Sequence, residues 1–193
     1  TARRLGANIV GVVDHDADAA ARLAAMAPHA QSATSLSAFS GNPIDVAHVC
    51  TPADSHVRVA LELTAAGIHA LIEKPLAETT EQTRLLVEAF EGKKLFLCPV
   101  HQYAFQRGMD ATLNALPEIG PVKRIAFDIV SAGGGTVSAD FDRIVGEIVP
   151  HPLAMLQRLL PAMNLTKLRW NVTRSEAGEW LLATSHDGTM ITI

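Results

Sequence analysis

This chain of 193 residues has little that anchors a protein covalently or by bulk charge. It holds two cysteines, a net charge of −4 at pH 7, and acids and bases interleaved along its length. Its apolar runs are short and broken by His, Gly or charge, well below the roughly 20 residues a membrane helix needs, and no signal peptide is visible. A soluble cytoplasmic protein that meets no membrane is expected. Without a basic stripe there is nothing to neutralise a phosphate backbone, so nucleic acid is not an expected partner. Cys50 and Cys98 each close an apolar, strand-like run, where a thiol acts as a small buried hydrophobe rather than half of a disulfide. No pair of His, Cys or acids has zinc-like spacing on one helix, and no metal is expected. No Ser sits on a glycine-flanked elbow, which argues against a Ser/His hydrolase. There is no internal repeat. The glycine-rich turn that cradles a dinucleotide phosphate is also missing: "TARRLGA" at the start has one glycine and reads as the tail of a helix. The opening at Thr1 and the closing run "GTMITI" both read as truncated ends.

What is present is rhythm. "ANIVGVVD" (7–14) is a β-branched apolar run ending on an acid, and "DADAAARLAAMA" (16–27) has helical spacing. "IDVAHVCT" (44–51) predicts the next strand. Pro52 follows, then a helix with Asp54 or Ser55 as N-cap and Gly67 as its stop. "IHALIE" (68–73), a helix over 79–90 capped by Thr79 or Thr80, and the strand "KLFLCPV" (94–100) complete the first part. Short strands that are apolar on both faces, alternating with helices, predict a doubly wound parallel sheet. After residue 100 the pattern changes. A helix ended by Pro117 and Gly120, a long alternating strand over 121–132, a helix over 147–161 and three more strand-like runs predict an α+β domain with a mostly antiparallel sheet. The expected domains are therefore 1–100 and 101–193, both incomplete.

Ligands of an open parallel sheet bind outside the carboxyl ends of its strands. The residues there are Asp14, Thr51-Pro52, Glu73-Lys74-Pro75 and His101-Gln102. Pro75 biases Lys74 towards an extended backbone, which aims the lysine at the strand-end crevice, while Glu73 points to the opposite face. Asp14 is placed to accept hydrogen bonds from an adenosine ribose and to repel a 2'-phosphate, which favours NAD and leaves NADP possible. The alternative is that Asp14 merely helps to cap the helix at 17.

The segment "VCTPADSHVRVALELTAAGIHALIEKPLAETTEQTRLL" (49–86) resembles the nucleotide-binding domain of the Gfo/Idh/MocA dehydrogenases. Their Thr-Pro, their His four residues on, their helix ending in Ala-Gly-x-His and their Glu-Lys-Pro-Leu recur here in order and at the same spacing. The resemblance extends more loosely over residues 1 to about 161. It implies a Rossmann-type fold and hydride exchange between a nicotinamide and a carbinol carbon of a sugar, cyclitol or related polyol. It also implies that Thr51, Pro52, Glu73 and Lys74 lie on the cofactor with Asp14, that His56 stands at the cofactor rim, and that Lys74 reaches the substrate hydroxyl. "GEIVPHPLAML" (146–156) resembles the family's acid-then-His stretch, with Glu147 orienting His151 as the acid/base. The match departs from the family at Glu147, where Asp is commoner, at Val149, where Gly is usual, and at Ala154, where a second Asp is usual. Those departures motivate a rival reading, a non-catalytic member that senses a nucleotide or binds a partner. "HQYAFQRG" (101–108) keeps only the aromatic and basic character of the corresponding family segment, making His101, Tyr103 and Arg107 candidate substrate residues. His48 and His69, inside apolar runs, are expected to be hydrogen-bonded core groups. Association through the open face of the second sheet implies a homo-oligomer.

Overall fold

The computed structural model describes residues 2–130, 146–175 and 180–193. They form two compact units, Thr1–Pro99 and Val100–Ile193. Among the described residues no helix is long and apolar enough to cross a membrane.

In the first unit, β1 (Gly11–Val13) leads into α1 (Ala17–Ala24) and pairs in parallel with β2 (Gln31–Ala33), a strand too short and polar to show in the sequence pattern. A second parallel sheet runs β3 (Val46–Val49), β4 (His69–Ile72), β5 (Leu97–Pro99), with α2 (Ala53–Ala66) and α3 (Thr80–Gly92) as the connecting helices. Among the described residues the two parallel sheets share no ladder. Their period of two settles the packing. Val49, Ala70 and Ile72 point to one face and are buried with Ala60 and Leu63 of α2 and Leu86 and Phe90 of α3. Each large side chain of this cluster contributes about 1.5–3 kcal/mol by leaving water.

The opposite face carries His48, Cys50, Leu71 and Cys98, because Leu71 pairs with His48 on one side and Cys98 on the other. Here the structure corrects two expectations. Both cysteines are exposed and free rather than buried, and His48 is exposed rather than in the core. Their parity is opposite to that of the residues the helices cover, so an apolar run over both faces did not mean burial on both. His69, half-buried, does find a partner: its Nδ1 accepts the Phe96 N–H at 2.9 Å.

The caps also differ in part. α2 begins at Pro52, which offers no side-chain cap, and Ser55 instead turns its hydroxyl back onto the Pro52 carbonyl and the Thr51 hydroxyl, 2.7 Å from each. Gly67 stops α2 at φ 74°, a left-handed position that glycine adopts without strain. Of the two threonines expected as caps of α3, Thr79 is the N-cap, and it forms a capping box with Gln82.

The second unit opens with a 3-10 turn (Gln102–Phe105) and α4 (Arg107–Ile119). Pro117 lies inside α4, and the helix stops at Gly120. β6 (Arg124–Ala126) is shorter than the strand expected over 121–132, and the glycine stretch 131–140 lies outside the described residues. After α5 (Pro150–Leu159) come β7 (Asn171–Arg174), β8 (Trp180–His186) and β9 (Thr189–Thr192). The sheet order is β6-β9-β8-β7, with β6 parallel to β9 and the other pairs antiparallel. Leu156 of α5 and Ile191 of β9 centre its core with Met163, while Leu181 and Met190 are exposed.

Among the described residues, Gly11 is the one glycine whose missing Cβ the packing requires, since a methyl there would collide with the ring of buried Phe39. Gly11→Ala is expected to destabilise the protein by about 1–3 kcal/mol, as overpacking does. The urea midpoint of the variant measures it.

Candidate functional site

In the first unit the polar residues at the strand ends are held by backbone as much as by side chains. After β1, the carboxylate of Asp16 caps α1, accepting the N–H groups of Asp18 and Ala19. That leaves Asp14 outside the cap. Its Oδ1 accepts the Asp16 N–H at 3.0 Å and lies 3.1 Å from Nδ1 of His15, and its side chain is 43% exposed. A carboxylate so placed can still accept further hydrogen bonds.

After β3 and β4, two turns are joined by one ring. His56, in the first turn of α2 and 1% exposed, has Nδ1 2.8 Å from the Pro75 carbonyl and Nε2 2.8 Å from the Thr51 carbonyl. Carbonyl oxygens only accept, so a neutral ring donates to one of them at a time and the imidazolium donates to both. The turn bearing Thr51-Pro52 is thereby tied to the turn bearing Lys74-Pro75. The sequence reading placed His56 at the cofactor rim; the structure buries the ring and turns both nitrogens onto backbone. Glu73 extends the β3–β4 ladder, its N–H donating to the Val49 carbonyl at 2.9 Å. Lys74 follows, half-buried, with a cis peptide bond to Pro75. Glu73 also faces His48, with Oε1 3.7 Å from Nε2.

In the second unit three rings converge. His151 is the second residue of α5 and 7% exposed. Tyr103 meets it edge-on at 4.7 Å between centroids, and His101 lies at 6.2 Å, also edge-on. Nδ1 of His101 is buried with no hydrogen-bond partner among the described residues, and burial holds its pKa below the ordinary 6.5. Glu147 is half-buried one helical turn ahead of His151, and Arg107 is exposed at the start of α4.

The residue that sequence reasoning missed is Arg158. Its guanidinium donates to the Ala104 carbonyl, reaches Asp110 at 3.3 Å and lies 5.3 Å over the Phe105 ring. It therefore pins α5 to the turn that carries Tyr103. Its spacing of two helical turns from His151 puts it on the same helix face, and that spacing was a readable signal.

Two outcomes follow from these geometries. His56→Ala removes the buried ring that ties the Thr51 and Pro75 carbonyls together and leaves a cavity, so a loss of about 2–4 kcal/mol is expected in urea unfolding. His101, held low in the fold, binds fewer protons than the unfolded chain does just below pH 6.5. Stability therefore rises with pH through that interval and is lost as pH falls below 6.5 towards the folded value. His101→Gln should flatten this acid limb, which unfolding midpoints at about pH 5 and about pH 7 will reveal.

Comparison with known proteins fits these features. The profile of an oxidoreductase family with an NAD-binding Rossmann fold, Gfo/Idh/MocA, matches residues 1–101. The chain is 31% identical over 130 residues to UDP-N-acetylglucosamine 3-dehydrogenase of Acidithiobacillus ferrooxidans, covering 63% of this chain and 41% of that protein. It is 32% identical over 118 residues to inositol 2-dehydrogenase of Corynebacterium glutamicum, covering 61% and 34%. The solved structure of the WlbA dehydrogenase from Thermus thermophilus in complex with NAD and alpha-ketoglutarate superposes with a TM-score of 0.75 at 18% identity. That superposition covers 99% of this chain and 65% of that one, and shows the shared fold. The matched segments thus span about two-fifths or less of these two curated relatives. With the profile extending over more than half of its residues, this chain belongs to the Gfo/Idh/MocA family of oxidoreductases and carries that family's NAD-binding Rossmann fold.

Proposed function

We propose that the protein is a nicotinamide-dependent dehydrogenase acting on a CH–OH group of a sugar, cyclitol or related polyol, with NAD preferred to NADP. One observation carries this reading. The polar ends of two adjacent parallel strands, Thr51-Pro52 and Glu73-Lys74-Pro75, are locked together by a buried imidazole within a segment that matches an NAD-binding family. The names of the curated relatives, an inositol and a nucleotide-sugar dehydrogenase, support the substrate class.

The donor set suits the cofactor. With Asp16 occupied as the helix cap, Asp14 keeps a half-exposed carboxylate for ribose hydroxyls and against a 2'-phosphate. Thr51, Pro52 and Glu73 line the same strand ends, and His56 acts as a positioning residue that holds both turns. When bound, the nicotinamide supplies or accepts the hydride. In the first unit the Lys74 ammonium lowers the cost of alkoxide charge on the substrate oxygen. In the second, His151 takes or returns the hydroxyl proton, Glu147 orients it, and His101, Tyr103 and Arg107 recognise substrate hydroxyls. Tyr103, edge-on to His151, also limits how that ring can turn. The exposed Leu181 and Met190 favour a homo-oligomer formed through this sheet face, and a cytoplasmic location suits the small polar substrate.

Calorimetric titration of the full-length protein with NAD and NADP should give tighter binding of NAD. Lys74→Ala and His151→Ala should each lower kcat by at least about 100-fold while NAD still binds. Failure to bind either nucleotide overturns the reading. NAD binding without turnover on any polyol or sugar, unchanged by either substitution, favours the rival, a non-catalytic nucleotide sensor, motivated by Val149 and Ala154 beside His151.

A further inference from the structure

The face of the β3–β4–β5 sheet opposite α2 and α3 carries a group of side chains that the proposed dehydrogenase chemistry does not use together. His48 and Cys50 stand two residues apart along β3 and its end, so they share a face. Glu73 is brought beside them by register: Val49 pairs with Ile72, and the Glu73 N–H continues the ladder onto the Val49 carbonyl. A ring nitrogen of His48, Sγ of Cys50 and a carboxylate oxygen of Glu73 all lie within 4.8 Å of one another. His48 and Glu73 are 3.7 Å apart.

We propose that His48, Cys50 and Glu73 form a three-ligand site for a thiophilic divalent cation of the zinc class, at the carboxyl ends of β3 and β4. The dimensions suit this. Two nitrogen or oxygen ligands of a tetrahedral zinc, each about 2.1 Å from the metal, stand roughly 3.4 Å apart, and a sulfur ligand slightly farther. The His–Glu edge, at 3.7 Å, is within about 0.3 Å of that length, and the Cys edges, at most 4.8 Å, close by about 1 Å through side-chain rotation. The donor set suits it as well. One thiolate and one carboxylate balance the 2+ charge, a neutral imidazole adds the third ligand, and the fourth position stays open to water or another ligand. Cys50 ligates only as the thiolate, so binding must release its thiol proton and affinity rises with pH.

Spacing along one helix does not reveal this site, because its residues meet across two strands. A bound cation would clip together the strand ends that lead into the Thr51 and Lys74 turns.

The test is a titration of chelator-treated full-length protein with Co2+ alone, followed by absorption. A cobalt–thiolate charge-transfer band in the near ultraviolet, at one equivalent, is expected. Cys50→Ser should abolish the band and Cys98→Ser should leave it. His48→Ala and Glu73→Gln should each weaken Co2+ binding at least about tenfold, equivalent to ~1.4 kcal/mol. A band that survives Cys50→Ser, one that depends on Cys98, or no band at all overturns the site. The readout does not involve nucleotide or turnover, so it stands or falls apart from the dehydrogenase reading.

Discussion

The parallel ladder between β3 and β4 is the constraint from which the first unit follows. Its register, Val46 with His69 through Val49 with Ile72, decides which side chains share a face. On one side that row is Ala47, Val49, Ala70 and Ile72, which α2 and α3 cover with Ala60, Leu63, Leu86 and Phe90. On the other it is His48, Cys50, Leu71 and Glu73. A slip of one residue would exchange the two sets, placing an imidazole and a carboxylate against the helices. The cost of burying such groups without partners is what fixes the register.

The same ladder brings two turns to one edge, and His56 then joins them. The interaction is unusual in its economy, since a single ring reaches two main-chain carbonyls from residues 19 and 5 positions away. Because the imidazole is buried, water cannot replace the lost ring without entering the packing. Rigidity at Thr51 and Pro75 is transmitted to Lys74, whose neighbour is one of the two tethered residues. A catalytic or binding lysine gains from such support, since positioning errors of an ångström are expensive in chemistry.

The second unit uses a different device. His151 is buried by ring-edge contacts with Tyr103, while Arg158 two turns along α5 fastens the helix to the main chain at Ala104 and to Asp110. Polar anchoring at one end of α5 and Leu156 in the core between them set the depth at which His151 sits. The His101 imidazole beside it is kept neutral-leaning by burial.

The sequence by itself determined the alternation of strand and helix, the motif spacing from Thr51 to Lys74, a threonine cap at 79 or 80 and the stop at Gly67. Each of these depends on interactions within a few residues, and local chemistry is written locally. It did not reveal β2, because Gln31–Ala33 has no apolar signature and is a strand only through its pairing with β1. Nor did it place the cysteines and His48: periodicity identifies two faces of a strand, but which face the helices cover depends on the crossover of distant segments. His56 shows both limits at once. Its position in α2 was legible, whereas its partners, the Thr51 and Pro75 carbonyls, became neighbours only when register brought two strand ends together. Tertiary structure decided these because backbone carbonyls look alike in sequence, and only the folded chain specifies which of them a buried ring can reach.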